Sequence, residues 1–425
     1  MSYVFFALVA VAFIVAGARQ FAWIGGGEAK PPMTVLGDAM LSAANSSVTL
    51  AIGLVGAMTL FLGLMKVAEQ GGLLVVLARL VRPLMVRLFP EVPADHPAMG
   101  AMILNMSANV LGLGNAATPF GLRAMAELDC LNLVKGVASN PMVLFLAINT
   151  ASVTVLPTSV IALRAAAGSA NPAGVVPTTL FATGVATAVA IITAKLGERW
   201  WPIGEAVTTS APVPAQRDEP LIDIGRAYPE WAAWLALACL AALIPLTVVW
   251  GGTISPWIVP GIMVAILAFG LLHKVDVYGA FVEGGKEGFT VAVRIIPYLV
   301  AILVAIAMLR ESGAMDYLIA PLARLTAPIG VPAEALTMTV LRMLSGSGAY
   351  GYLAALFNDP AIGPDSYTGY LVSTIMASTE TTFYVVAVYF GAVGIKRIRH
   401  ALIAGLVSDV SGVAASVVAV KWMLS

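Results

Sequence analysis

The chain has 425 residues, of which 60% are hydrophobic and only 11% charged, and its 23 basic and 23 acidic side chains give a formal net charge of zero. Soluble domains carry about 25% charged residues, so the composition excludes a soluble globular protein, and the neutral balance gives a nucleic acid nothing to bind. Many apolar runs approach the ~20 residues that cross a ~30 Å hydrocarbon core. They are too continuous for alternating barrel strands, so the fold class is all-α and the chain a polytopic helical membrane protein.

Met1 to Ala18 is the first apolar run; it lacks a positive leading region and is read as a retained span. A turn-rich connection with Gly25 to Gly27 and Pro31-Pro32 follows, then a second span from Val48 to Met65. Arg79, Arg82 and Arg87, spaced among leucines and valines, predict an amphipathic helix at the interface over Lys66 to Phe89. The run from Ala98 then meets Asn109-Val-Leu-Gly-Leu-Gly-Asn-Ala-Ala-Thr-Pro-Phe120, where Gly112, Gly114 and Pro119 break an apolar helix and Asn109, Asn115 and Thr118 bring polar groups. Unwinding is expected near Asn115 to Pro119. Backbone groups freed at membrane depth are tolerated only where protein buries them or water reaches them, which is how many transporters build a site. Val134 to Ile148 runs into a second interruption, Asn149-Thr-Ala-Ser-Val-Thr-Val-Leu-Pro157, with Asn140, Asn149, Thr150 and Ser152 as further ligand candidates. Val176 to Ala194 closes the first half.

Residues 201–229 are polar, proline-bearing and charged, a cytoplasmic linker between segments 1–200 and 230–425. Spans over Trp231 to Val249, Trp257 to Leu272 and Val291 to Leu309 follow, and then the pattern returns. Met343-Leu-Ser-Gly-Ser-Gly-Ala-Tyr-Gly351 stands where the first break stood, and Ala377-Ser-Thr-Glu-Thr-Thr382 where the second did. Glu69-Gln-Gly precedes Ala78-Arg-Leu and a proline, just as Glu311-Ser-Gly precedes Ala323-Arg-Leu and a proline. Basic residues orient the halves: Lys66 to Arg87 is basic while Arg310 to Arg324 is offset by Glu311 and Asp316, and Ser169 to Leu180 is uncharged while Lys396-Arg-Ile-Arg-His400 is strongly basic. Equivalent segments thus fall on opposite sides, as an inverted repeat requires.

Glu380 is the first candidate for chemistry, because a carboxylate at membrane depth costs about 2.5 to 3.5 kcal/mol and normally faces a cavity, pairs with a cation or carries a proton or ion. Ser378, Thr379 and Thr381 surround it, and Arg342 is its expected partner. Ser345, Ser347 and Tyr350 line the small-residue break; the G-x-G-x-x-G match there follows an apolar helix and is not read as dinucleotide binding. Asp409, in the last span, is either a second ionisable site or a packing hydrogen bond. Cys130 and Cys239 are read as small packing residues. His96, His273 and His400 show no metal-ligand spacing, and without a phosphate-binding loop or a catalytic constellation neither ATP, a cofactor nor an enzymatic role is expected.

Leu111-Gly-Leu-Gly-Asn-Ala-Ala-Thr-Pro-Phe-Gly121 with Met125 resembles the hallmark of spore maturation protein A. Ser345-Gly-Ser-Gly-Ala-Tyr-Gly351, and the run from Ser378 through Lys396 to Arg399-His400, resemble spore maturation protein B. The resemblance implies an A-B fusion with a gate, or nucleoside-recognition, domain in each half, similar to elements of concentrative nucleoside transporters and of the ferrous iron transporter membrane domain. The expectation is therefore two inverted-topology gate repeats with discontinuous helices and about ten to twelve membrane segments. The function expected is secondary transport of a small polar or anionic solute, nucleoside-like or a carboxylate, across the cytoplasmic membrane, with H+ or Na+ as coupling ion. Arg123 or Arg342 would neutralise Glu380 or meet an anionic substrate. A passive channel or a non-transporting scaffold are the rival readings, a metal transporter is disfavoured by the absence of Cys and His at the breaks, and a homo-oligomer is expected.

Overall fold

The computed structural model describes residues 2–23, 30–112, 114–151, 154–202 and 227–424; Ser152 and nearly all of the central linker lie outside them. Among the described residues the structure is helical and has no strand beyond one isolated bridge, Val137 with Arg397. The first half contributes α1 (Ser2–Phe21), α2 (Pro32–Gln70), α3 (Leu73–Leu88), α4 (Pro97–Val110), α5 (Gly114–Leu131), α6 (Asn140–Ala151), α7 (Thr158–Ala166) and α8 (Val175–Trp200). The second repeats the order with α9 (Glu230–Leu272), α10 (Val277–Glu311), α11 (Ala314–Thr326), α12 (Ala333–Leu344), α13 (Gly346–Phe357), α14 (Tyr367–Ser378), α15 (Thr382–Ala392) and α16 (Ala401–Leu424).

The repeat is visible in its joints. Gly72 and Gly313 sit at φ +80° and +77° immediately before α3 and α11, the left-handed region in which glycine carries no steric penalty. Both following helices contain a proline, Pro83 and Pro321. At the first of these joints α3 turns 70° away from the helix before it, which places the basic segment predicted as amphipathic on a separate axis.

Each expected interruption exists, and their positions follow the local chemistry. The first lies at Leu111 and Gly112 rather than Asn115 to Pro119: Gly112 takes φ +72°, and Pro119 is absorbed within α5. A residue free to adopt positive φ makes the turn at little cost, whereas a proline near a helix start loses a single hydrogen bond. The second is seen at Thr154 to Pro157, the third is the single extended residue Ser345, and the fourth is Thr379 to Thr381. Because breaks divide spans, α6, α12, α13 and α14 have 12 residues each, about 18 Å of helix against a ~30 Å core. Among the described residues three helices are long and apolar enough to cross a membrane, Pro172–Trp200, Tyr367–Ala392 and Ala401–Leu424, and the bent pair Met58–Gln70 with Leu73–Leu88 makes a fourth. The spans expected at Trp231 to Val249 and Trp257 to Leu272 are continuous in α9.

Large apolar side chains such as Phe13, Trp234, Trp257 and Val264 stand on the surface, the pattern of a molecule whose outer solvent is hydrocarbon. Cys130 and Cys239 are exposed rather than packed in the core, which costs an apolar thiol little in lipid.

The chain forms two compact units, each assembled from both halves of the sequence. Unit one comprises Met1–Gly63, Ser159–Pro172 and Gly284–Met376; unit two comprises Leu64–Thr158, Ala173–Glu283 and Ala377–Ser425. In unit one, Arg19 reaches the Ser312 carbonyl at 2.9 Å, tying α1 to the end of α10. Its most buried large side chain is Arg164, wholly inaccessible. The guanidinium donates to the Pro364 carbonyl (2.6 Å), Asp365 Oδ1 (2.9 Å), Ser373 Oγ (3.3 Å), Ser169 Oγ (3.2 Å) and the Asn171 carbonyl (3.3 Å), and lies 4.1 Å from the Tyr370 ring centroid.

In unit two α8 packs along α16, and His400 marks the contact. Its Nε2 lies 2.9 Å from the Ala194 carbonyl, which makes Nε2 the protonated nitrogen and leaves the buried Nδ1 without a hydrogen-bond partner. The ring stacks on Trp201 and occupies the space a Cβ on Gly197 would need, 2.3 Å from Cδ2. Burial pushes the imidazole pKa below its ordinary value; the Ala194 contact opposes this, Arg399 adds to it and Glu198 opposes it. A folded-state pKa below the unfolded one means the unfolded chain binds the proton more readily. The contribution is therefore present above about pH 6.5 and is lost as pH falls through that range. Thermal unfolding between pH 7.5 and 5 should show this loss in the wild type, and His400→Gln should flatten it.

Candidate functional site

Three of the four breaks are joined by main-chain hydrogen bonds within unit two. Val155 N donates to the Val110 carbonyl at 3.1 Å, linking the first break to the second. Glu380 N donates to the Thr150 carbonyl at 2.9 Å, linking the second to the fourth. Unwound segments at membrane depth must satisfy their backbone inside the protein, and these breaks partly do so with one another. At Gly112 the approach is so close that an added Cβ would sit 2.6 Å from the Leu156 carbonyl oxygen.

Around this junction lies a chain of amides and a phenol. Asn109 Nδ2 donates to Asn149 Oδ1 (3.1 Å), Asn149 Nδ2 donates to the Phe145 carbonyl (2.9 Å), and Tyr389 Oη stands 3.5 Å from Asn149 Oδ1. Asn105 Nδ2 donates to the Ala117 carbonyl (2.8 Å) and toward Tyr389 Oη (3.4 Å), while the buried Asn105 Oδ1 has no hydrogen-bond partner. An orphaned buried acceptor is costly, so it marks a place where a donor group would be stabilised. The Tyr389 ring stacks on Phe145 with centroids 6.1 Å apart. Gly121 makes room for the phenol: a Cβ there would meet Tyr389 Oη at 2.2 Å and Asn105 Nδ2 at 3.0 Å. Gly121→Ala is expected to displace Tyr389 and to destabilise by about 1 to 3 kcal/mol through overpacking. The checks are thermal unfolding and the tyrosine's near-ultraviolet circular dichroism.

The fourth break is lined by α16, whose small and polar residues recur on one face. Gly405 lets the Thr382 methyl approach, with a Cβ contact of 2.8 Å, and Gly412 does the same for Thr379 at 2.9 Å. Between them Thr382 donates to Asp409 Oδ2 at 2.6 Å. Ser378 pairs with Ser416 at 3.5 Å, and Thr183 donates to the Ala151 carbonyl at 3.1 Å. Thr150, Ser378, Thr379, Thr381 and Thr382 are buried, whereas Glu380 among them is partly accessible.

The other residues singled out in the sequence are placed as follows. Asn115 lies in the first turn of α5, and Thr118 and Arg123 lie further along the same helix, partly accessible. Asn140 starts α6 and accepts from Arg399 Nη1 at 2.8 Å. Ser345, Ser347, Tyr350 and the buried Arg342 belong to unit one. There Ser345 caps α13 by accepting from Gly348 N at 3.0 Å, which is a structural use of its hydroxyl; Ser347 is exposed, and Tyr350 Oη stands 3.4 Å from the Ser159 carbonyl. Sequence reasoning gave no site role to Asn105, Tyr389 or Gly121, the last two standing only within the family motifs. An asparagine between Leu104 and Met106 in an apolar run was the available signal for the first.

An all-helical membrane protein with broken helices meeting at a polar junction defines the class. The profile described as Gate, nucleoside recognition, matches residues 51–167 and 292–396, and the chain belongs to that family. Spore maturation protein B of Bacillus subtilis (strain 168) is 47% identical over 162 residues, covering 38% of this chain and 90% of that protein. Spore maturation protein A of the same organism is 44% identical over 155 residues, covering 36% and 79%. Among solved structures, a doubly substituted variant of CNTnw in an outward-facing state aligns with a TM-score of 0.47 at 16% identity over 99% of this chain and 93% of that one. CNTnw in an inward-facing substrate-bound state aligns at 0.46 and 15% over 98% and 93%.

Proposed function

We propose that this protein is a secondary transporter of the cytoplasmic membrane that carries a small polar or anionic solute, nucleoside-like or a carboxylate. The observation that carries the reading is the junction at which Glu380 N meets the Thr150 carbonyl. It sets one partly accessible carboxylate among buried hydroxyls and beside the Asn109, Asn149, Asn105 and Tyr389 chain. Amides and a phenol can both donate and accept, which suits a neutral or anionic polar ligand. The carboxylate suits a proton or Na+, whose binding would neutralise a charge that is costly at that depth. The proposed site is confined to unit two and draws on Asn109, Asn149, Thr150, Ser378, Thr379, Glu380 and Thr381.

Uptake by proteoliposomes of candidate nucleosides and carboxylates, with imposed proton or sodium gradients, tests the proposal. Saturable uptake that shows counterflow and loses its ion dependence in Glu380→Gln supports it. Accumulation by Glu380→Gln with unchanged pH and sodium dependence would remove Glu380 from coupling, and unsaturable flux without counterflow would replace the transporter with a channel.

A further inference from the structure

Each half of the sequence carries a loop just ahead of its second broken helix, 132–139 before α6 and 358–366 before α14. In both cases an arginine from the opposite half closes that loop. Arg164, of the first half, donates to the Pro364 carbonyl at 2.6 Å, to Asp365 Oδ1 at 2.9 Å and to Ser373 Oγ at 3.3 Å, all within unit one. Asp365 in turn accepts from Ala170 N at 2.7 Å and from Ser169 Oγ at 2.5 Å, so the contact is two-sided. Arg399, of the second half, donates through Nη1 to the Ala138 carbonyl at 3.1 Å and to Asn140 Oδ1 at 2.8 Å, all within unit two. The main chain reinforces it: Lys396 N and Arg397 N donate to the Gly136 carbonyl at 2.9 and 3.0 Å, and Ala138 N donates to the Arg397 carbonyl at 3.0 Å.

Both arginines follow the second break of their own half, Arg164 in the last turn of α7 and Arg399 in the turn before α16. Each spreads its fork of donors over main-chain carbonyls and side-chain acceptors, Asp365, Ser373 and Ser169 for Arg164 and Asn140 for Arg399, a geometry lysine cannot reproduce. Each compact unit contains segments of both halves.

We infer that the two halves are obligate partners fastened by reciprocal arginine staples, so that the surface each half presents is fitted to the other half and covalent linkage is dispensable once the chain has folded. Two relatives that each match little more than a third of this chain show that comparable lengths exist as separate polypeptides.

The test uses the full chain with a protease site inserted between Thr208 and Asp223 and an affinity tag at one end. After purification and cleavage, both fragments should elute as one particle, be retained together on the tag, and keep the unfolding temperature of the uncut protein. Asp365→Asn and Asn140→Ala then weaken one staple each without removing an arginine. In the cut protein the double variant should release the untagged fragment at concentrations about tenfold or more above those at which cut wild type does so. Fragments of the cut wild type that part without denaturant would overturn the inference. A cut double variant that holds together through the same dilution as wild type would overturn the role of the staples.

Discussion

Arg164→Leu should lower stability by about 3 to 5 kcal/mol, the range for removing one partner of a buried charged network. Arg164 is wholly inaccessible, and its substitution deprives the Pro364 and Asn171 carbonyls of donors in a region that water does not readily fill. Asp365 contributes less to the loss, because it is 38% exposed and can be solvated when its partner disappears. Leucine also leaves the face of Tyr370 without the cation that covers it at 4.1 Å. Arg164→Lys should recover little, since one ammonium cannot reach the carbonyls and the carboxylate together. The measurement is the midpoint of thermal unfolding in detergent, where a fall of about 5 °C or more is expected. An unchanged midpoint would mean that the loops are held by packing alone.

Gly112→Ala is the second large effect, at about 2 to 4 kcal/mol. A side chain at φ +72° costs about 1 to 2 kcal/mol by itself, and the added methyl would stand 2.6 Å from the Leu156 carbonyl oxygen. That neighbour is main chain, held near the bond from Val155 N to the Val110 carbonyl, so it cannot yield without parting the first two breaks. Gly136→Ala is the matched control: its φ is +77°, but nothing lies within 4 Å of the added atom. It should show only the conformational cost. Thermal unfolding separates the two. Transport activity should follow the same order if the junction is the site, with Gly112→Ala inactive and Gly136→Ala active.

The sequence was sufficient wherever the cause is local. Sixty per cent apolar composition means a lipid-facing surface, because no soluble shell could cover it. Ser345 and Thr379 to Thr381 interrupt helices close to where a reading of residue types places interruptions, and the Glu69-Gln-Gly and Glu311-Ser-Gly flanks identify the repeated joints. Even the misplaced first break was off by only a few residues, because glycine and proline both break helices and only the realised φ shows which one did. The spans were less legible: length and hydropathy cannot tell whether 230–272 is one helix or two.

What tertiary structure alone decided is who meets whom. Glu380 bonds through its backbone to Thr150, 230 positions away by their numbers, and Tyr389 reaches Asn105 and Asn149 across 284 and 240 positions. Arg164 passed unnoticed in the sequence because a lone arginine after a break reads as a loop end; its burial depends on Asp365 and Pro364, 201 and 200 residues on. Helix and break positions are written in each residue's own backbone preferences, so the linear chain shows them. Contacts between segments that share no neighbourhood depend on how the repeated halves exchange pieces between the two units, and that is a property of the folded chain alone.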